Sequence, residues 1–368
     1  MNQKEKELFF ELCRYRDQNP QKLRNLIKKG AATPAVLGHL FYNRMGGIAF
    51  GVLKENGLLG ETNREFRNTL ESRYVLNREK NESYFRCLKL LTRVLKGCEG
   101  KYALLKGAYL CKAYPEGFRT SNDIDILTTA ENIGVISQRL KDAGFRQGSV
   151  QNGCFLPASR QEIIRSRLMR GETVPFIKEV NLPFLRYLEI DINFSLSYKN
   201  EKSDTVREFL SRSRRVNLEK LRICTLEPCD FLLHLCGHLY KEAAVYPWVQ
   251  MKRDMTLYKY CDLYTMLQDI TEKEYAVLEK RASTLGLEEG CYYALYCTKV
   301  LFSLQSDALS AFLTRIAPAN REILKTVIDP EAKKKYRYLE DNLFKRFFQN
   351  DRLSLLEEVF PDEKAGII

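Results

Sequence analysis

Two aspartates, Asp123 and Asp125, sit inside the apolar run DIDIL that ends at Leu127. On an extended strand, residues i and i+2 project to the same side, with Cα atoms roughly 6.5–7 Å apart. Such a pair can hold one divalent cation between them or contact two. Mg²⁺ suits this arrangement because it takes hard oxygen ligands and keeps several waters, so a few carboxylates on a rigid strand suffice. A third carboxylate has to come from elsewhere. Residues 187–194, YLEIDINF, alternate strictly and place Glu189, Asp191 and Asn193 on one face. Asp191 is the best candidate for the third ligand, and Glu189, two residues away, is the alternative. Two acidic strands facing each other repel, and a cation is the natural remedy. The structural alternative is a half-exposed strand with an acidic outer face. Phosphoryl and nucleotidyl transfer are the reactions that ask for such a site, since positioning and charge neutralisation do most of the work there.

Upstream, Leu105-Lys106-Gly107-Ala108 reads as a strand end running into a helix start. Gly107 permits close backbone approach, and N–H groups in such a turn can cradle phosphate. Lys106 and Arg119 add positive charge nearby.

These residues need elements to carry them. Residues 1–98 read as helices, with Thr33 as an N-cap before Pro34 and apolar residues Tyr84, Leu88, Leu91 and Leu95 at helical spacing. The texture then changes. Residues 102–105 and 123–127 read as short strands, 131–143 as an amphipathic helix with Gly144 at its C-terminal end, and 145–156 and 172–180 as extended. From about Leu221 the pattern predicts helix again, through Pro228 and the segment 254–268, to Phe360. The predicted organisation is an N-terminal helical region (1–98), an α/β core (99–220) and a C-terminal helical domain (221–368), an α+β fold.

The chain has 368 residues, with 45% hydrophobic and 29% charged residues, which is ordinary globular composition with room for two or three domains. No apolar run approaches the ~20 residues needed to cross a bilayer, and the charged N-terminus lacks a signal-peptide core. The cytoplasm is therefore the expected location. Eleven cysteines without CxxC spacing suit free buried thiols. The net charge of +12 suits a polyanionic partner. The densest basic clusters, Arg212 with Arg214 and Arg215, and Lys333 to Lys335, read as solvated helix faces.

The order of apolar–Gly, h-D-h-D-h strand and later h-D-h strand resembles the polymerase-β-like nucleotidyltransferases. More narrowly, LKGAYL…YPEGFRTSNDIDIL (105–127) is similar to the LKG…R…DIDLL element of a large bacterial nucleotidyltransferase family. Asp142 to Phe145 falls where that family has a helix ending in GF. Asp191 to Phe194 falls on its (D/E)LHW strand, Leu232 to His238 on its LLHLxxH helix, and Leu257 to Leu263 on its LRWLxDL helix. The resemblance implies a polymerase-β-like core and Mg²⁺- or Mn²⁺-dependent transfer of a nucleoside monophosphate from an NTP to an acceptor, a small molecule or a protein. It implies Asp123, Asp125 and Asp191 as metal carboxylates, with Asp191 also able to take the acceptor's proton. It favours Asp191 over Glu189, and it implies Lys106, Gly107, Ala108, Arg119 and Asn122 as the nucleotide-binding set. Departures stand at Ala108, where relatives carry Gly or Ser, at Asn193 and Phe194 in place of His and Trp, and at Tyr258 and Lys259 in place of Arg and Trp. A non-catalytic, antitoxin-like binding module and an RNA 3′-end nucleotidyltransferase are the rival functions. Intact carboxylates argue against the first. The lack of basic residues interleaved with aromatics argues against the second.

Other residues invite weaker readings. His234 and His238 lie one helical turn apart and could bind zinc, but the apolar helix around them suits packed histidines better, with His238 in reach of a cleft wall by the resemblance. Asp262 reads as a buried paired carboxylate and Trp248 as a core anchor. Cys111 and Cys154 have no histidine near in sequence to make a thiol nucleophile.

Overall fold

The computed structural model describes residues 1–98, 100–195, 204–218 and 221–360. They fall into two compact units, Met1–Phe231 and Leu232–Ile368.

The first unit opens with helices α1 (Gln3–Cys13), α2 (Pro20–Lys28), α3 (Pro34–Tyr42), α4 (Gly46–Glu55) and α5 (Arg64–Val94). Thr33 caps α3 as predicted, its side chain accepting from Val36 N. Asn63 caps α5 by accepting from Phe66 N. At 31 residues, α5 is far longer than the apolar repeat at its C-terminal end suggests. It is followed by β1 (Tyr102–Leu104), α6 (Gly107–Ala113), β2 (Asp123–Thr128) and α7 (Ile133–Asp142), which Gly144 ends with φ +83°. Next come the hairpin β3 (Arg146–Gln151) and β4 (Cys154–Pro157), α8 (Arg160–Arg170), β5 (Phe176–Leu182), β6 (Leu185–Asn193), α9 (Asp204–Ser211), β7 (Arg214–Leu218) and β8 (Leu221–Thr225). Helix α10 (Pro228–Ala243) follows.

The strands form one mixed eight-stranded sheet in the order β4-β3-β5-β6-β2-β1-β8-β7. Two pairs are parallel, β2 with β6 and β1 with β8. Ile124 and Ile126 of β2 and Ile190 and Ile192 of β6 are fully buried, in one apolar cluster with Tyr84, Leu88 and Leu91 of α5 and Ile136 and Leu140 of α7. The strict alternation of these strands follows: one face lies in the core, and the other is left for Asp123, Asp125, Glu189 and Asp191.

The return to helix at Leu221 is overturned. Residues 221–225 are strand β8, which pairs with β7 and β1, and Thr225 Oγ1 donates to Leu104 O at 2.7 Å. Five residues give little periodicity, and only the partner strand settles them. Arg214 and Arg215 accordingly project from a strand, not a helix.

The second unit contains α11 (Tyr246–Gln250), α12 (Leu257–Leu267), α13 (Glu272–Leu285), α14 (Glu288–Phe302) and α15 (Asp307–Arg315). Tyr264 of α12 stacks on Phe302 of α14 at 4.5 Å. The expectation of helix to Phe360 fails here too. A three-stranded antiparallel sheet forms from β9 (Thr326–Asp329), β10 (Lys334–Tyr338) and β11 (Leu356–Glu358), with α16 (Leu343–Phe348) between the last two. Lys333, at φ +54°, lies in the turn, and Lys334 and Lys335 lie on a strand. Buried Asp254 accepts from Arg352 Nη2 at 2.6 Å and Nε at 2.8 Å, and from the Tyr338 hydroxyl at 3.3 Å. No helix among the described residues is long and apolar enough to cross a membrane.

Candidate functional site

Strands β2 and β6 run parallel and side by side, with Asp125 opposite Asp191 and Asp123 opposite Glu189. Paired positions on neighbouring strands project to the same face, roughly 4.8 Å apart along the sheet. Both predicted third carboxylates therefore join the pair: Asp191 beside Asp125, Glu189 beside Asp123. Burial, followed by the charges of Asp125, Glu189 and Asp123, pushes Asp191 well above the usual carboxylate range, with Lys106 opposing. Burial, then Asp123 and Asp125, also raises Glu189.

The cation that faces this array is Lys106, whose Nζ lies 2.7 Å from Asp125 Oδ1. Its backbone sits at φ +42°, ψ −114°. Ala108 N donates back to Leu105 O at 3.2 Å. Residues 105–108 thus make a tight turn with Lys106 at the first central position, in the type II′ conformation that glycine prefers. A lysine held there carries a backbone cost of about 1–3 kcal/mol that glycine would avoid.

Helix α5 fixes the loop that enters β2. Asn77 Nδ2 donates to Gly117 O at 2.8 Å, Asn81 Nδ2 to Arg119 O at 2.8 Å, and the Tyr84 hydroxyl to Asp123 O at 3.0 Å. Lys80 Nζ donates to Asn122 Oδ1. The spacing of these residues puts them on one helix face. Ser121 closes the gap to the turn, its hydroxyl donating to Asp123 Oδ1 at 2.9 Å. A Cβ on Gly107 would stand 2.4 Å from Ser121 Oγ and 3.1 Å from the Tyr84 oxygen, so only glycine fits. The hydroxyl that Ala108 lacks is thus present against Gly107 from the other side, on Ser121.

The remaining expected residues divide. Asn122, exposed, lies between Ser121 and Asp123 and accepts from Lys80. Arg119 is buried; its guanidinium donates to Thr120 O, and its own carbonyl is held by Asn81. Ala108 is fully buried in the apolar cluster, with its N–H on Leu105 O. Cys111 is buried, and Cys154 is exposed on β4. In the second unit, the His234 and His238 rings lie 6.2 Å apart. His238 Nδ1 stands 3.5 Å from Glu242 Oε2, which Lys259 also pairs. Asp262 is buried in α12, and half-buried Trp248 has the Lys259 ammonium 5.8 Å from its ring centre.

Sequence reasoning missed Ser121, Lys80 and the Asn77–Asn81–Tyr84 strut. Ser121 stood two residues before Asp123, and asparagines on the apolar side of a helix were the available signal for the strut.

The donor set suits a hard divalent cation: oxygen ligands only, on two adjacent rigid strands, with like charges raising one another. Among the described residues, no three His, Cys, Asp or Glu side chains already stand at metal-ligating spacing.

Residues 33–303 match a family described as uncharacterised nucleotidyltransferase, and the chain belongs to that family. No curated protein matches it.

Proposed function

We propose that this nucleotidyltransferase transfers a nucleoside monophosphate from an NTP to a small-molecule or protein acceptor, with release of pyrophosphate, on a polymerase-β-like core. One observation carries the reading: Asp125 and Asp123 stand in register with Asp191 and Glu189 on adjacent parallel strands, facing Lys106.

In this reading Asp123, Asp125 and Asp191 hold Mg²⁺ or Mn²⁺, and a bound divalent ion supplies charge neutralisation at the triphosphate. Lys106, released from Asp125, meets phosphate oxygen with its ammonium. The bare Cα of Gly107 lets Ser121 and Tyr84 pack against the turn, which sets the Ser121 hydroxyl beside Asp123. Ser121 and Tyr84 hold Asp123 through its carboxylate and its carbonyl, so the strand end stays fixed as charge builds on the phosphates. The acceptor oxygen attacks the α-phosphorus in line, its proton passes to Asp191, and the bond to the β-phosphate oxygen breaks to leave pyrophosphate.

The test is NTP turnover to pyrophosphate and labelled acceptor, screened across all four NTPs, comparing wild type with the Asp123→Ala/Asp125→Ala protein. Activity is expected in the first and not the second. Equal signals from the two proteins would refute the catalytic reading and favour a binding module.

A further inference from the structure

The middle of α5 carries positive charge that the carboxylate array does not explain. Lys80 lies on the helix face of Asn77, Asn81 and Tyr84, the residues that hold loop 117–123 by its backbone. Its half-buried ammonium donates to Asn122, the residue next to Asp123. Arg73, also on α5, is steadied by the Phe41 ring, with its guanidinium carbon 5.0 Å from the ring centre. Arg44 lies in the turn between α3 and α4, with φ +59°. Burial, then the charges of Arg44 and Arg73, push Lys80 below the usual lysine range, while Asp123 pulls it the other way. A partly buried lysine whose charge is disfavoured by burial and by two arginine charges gains when an anion of several charges joins it.

We propose that Lys80, backed by Arg44 and Arg73, binds the polyphosphate tail of the nucleotide substrate at the edge of the carboxylate array. This rests on the nucleotidyl-transfer reading and adds a residue outside the sequence motif. The tie to Asn122 places a cation one residue from Asp123, from a different element than the 105–108 turn that carries Lys106. A polyphosphate held between Lys106 and Lys80 has charge neutralised at both ends, and Lys80 is the group that meets the departing pyrophosphate.

The probe is tripolyphosphate with Mg²⁺, titrated calorimetrically into wild type, Lys80→Met and Lys80→Arg, so that base preference plays no part. Wild type is expected to bind, Lys80→Met to bind about tenfold or more weakly, and Lys80→Arg to recover most of the loss. Thermal unfolding without ligand separates this from a structural role: Lys80→Met should unfold close to wild type, the lost hydrogen bond to Asn122 being offset by relief from partly burying the charge. Equal tripolyphosphate affinity in wild type and Lys80→Met overturns the assignment of Lys80 alone. A wild type that binds neither tripolyphosphate nor any NTP overturns the nucleotidyl-transfer reading with it.

Discussion

Replacing Lys106 with methionine removes the ammonium 2.7 Å from Asp125 Oδ1 and keeps most of the side-chain volume. Asp125 retains 6% of its side-chain exposure and Lys106 22%, so the pair is screened only in part. Breaking a buried ion pair by removing one partner costs about 3–5 kcal/mol. With the partial exposure of Lys106, we expect about 2–3 kcal/mol at pH 8, read by urea unfolding without divalent ions. The pH dependence follows from Asp191 and Glu189, both raised in the folded protein. Between their ordinary values and their raised ones, the folded form holds more protons than the unfolded chain. Stability therefore falls as pH rises through that window. Lys106 limits this fall, because its charge favours the ionised form of Asp191. Without it the folded value of Asp191 climbs further and the window of decline widens. Below the ordinary carboxylate range Asp191 and Glu189 are protonated in folded and unfolded chains alike, and this part of the difference between the two proteins vanishes. Lys106→Gly separates charge from backbone: it loses the ammonium but relieves the φ +42° conformation, and should be about 1 kcal/mol more stable than Lys106→Met. Mg²⁺ should restore more stability to Lys106→Met than to wild type. A loss in Lys106→Met that is the same at pH 5 and pH 8, or no loss at all, would refute the picture of Lys106 as counter-ion to the array.

Asp191→Asn should leave the fold intact by circular dichroism and lower nucleotidyl transfer by about 10³-fold, against a smaller loss for Glu189→Gln; the reverse ranking in a pyrophosphate-release assay would make Glu189 the third carboxylate. Gly107→Ala forces a methyl to within 2.4 Å of Ser121 Oγ, and should cost about 1–3 kcal/mol in urea unfolding while reducing transfer by displacing Asp123. Arg352→Ala strands the Asp254 carboxylate, which is 1% exposed, and should destabilise the second unit by about 3–5 kcal/mol; a melting curve superimposable on wild type would show the pair to be energetically silent.

How much of this was visible beforehand depended on the range of the signal. The alternation of residues 187–194 specified a face, and β6 keeps it, with Leu188, Ile190 and Ile192 buried and Glu189 and Asp191 on the other side. The Thr33–Pro34 start of α3 and the left-handed Gly144 after α7 were equally legible, because capping is local chemistry. Strands β7 to β11 were not. Each is at most five residues long, and Lys334, Lys335 and Arg337 on β10 gave that segment the look of a charged helix face. Their pairing partners decide them, and pairing is not written in a five-residue window.

The same distinction separates the parts of the candidate site. That Asp123 and Asp125 share a face follows from strand geometry alone, whereas their meeting with Asp191 required β6 to lie parallel against β2 in one register. A slip of one residue would have set Ile190 or Ile192 against Asp125 and turned the acids into the core. The buried isoleucines therefore do more than fill the core. Their burial between the sheet and helices α5 and α7 fixes the register, and the register is what holds like charges together against their repulsion. Lys106, Ser121 and the α5 strut belong to a third level, where side chains from three separate elements converge on loop 117–123 and the turn beside it. Only there does the array acquire its cation and its fixed entry: Lys106 was marked by its place before Gly107, whereas Ser121 and the strut become visible only when those elements meet.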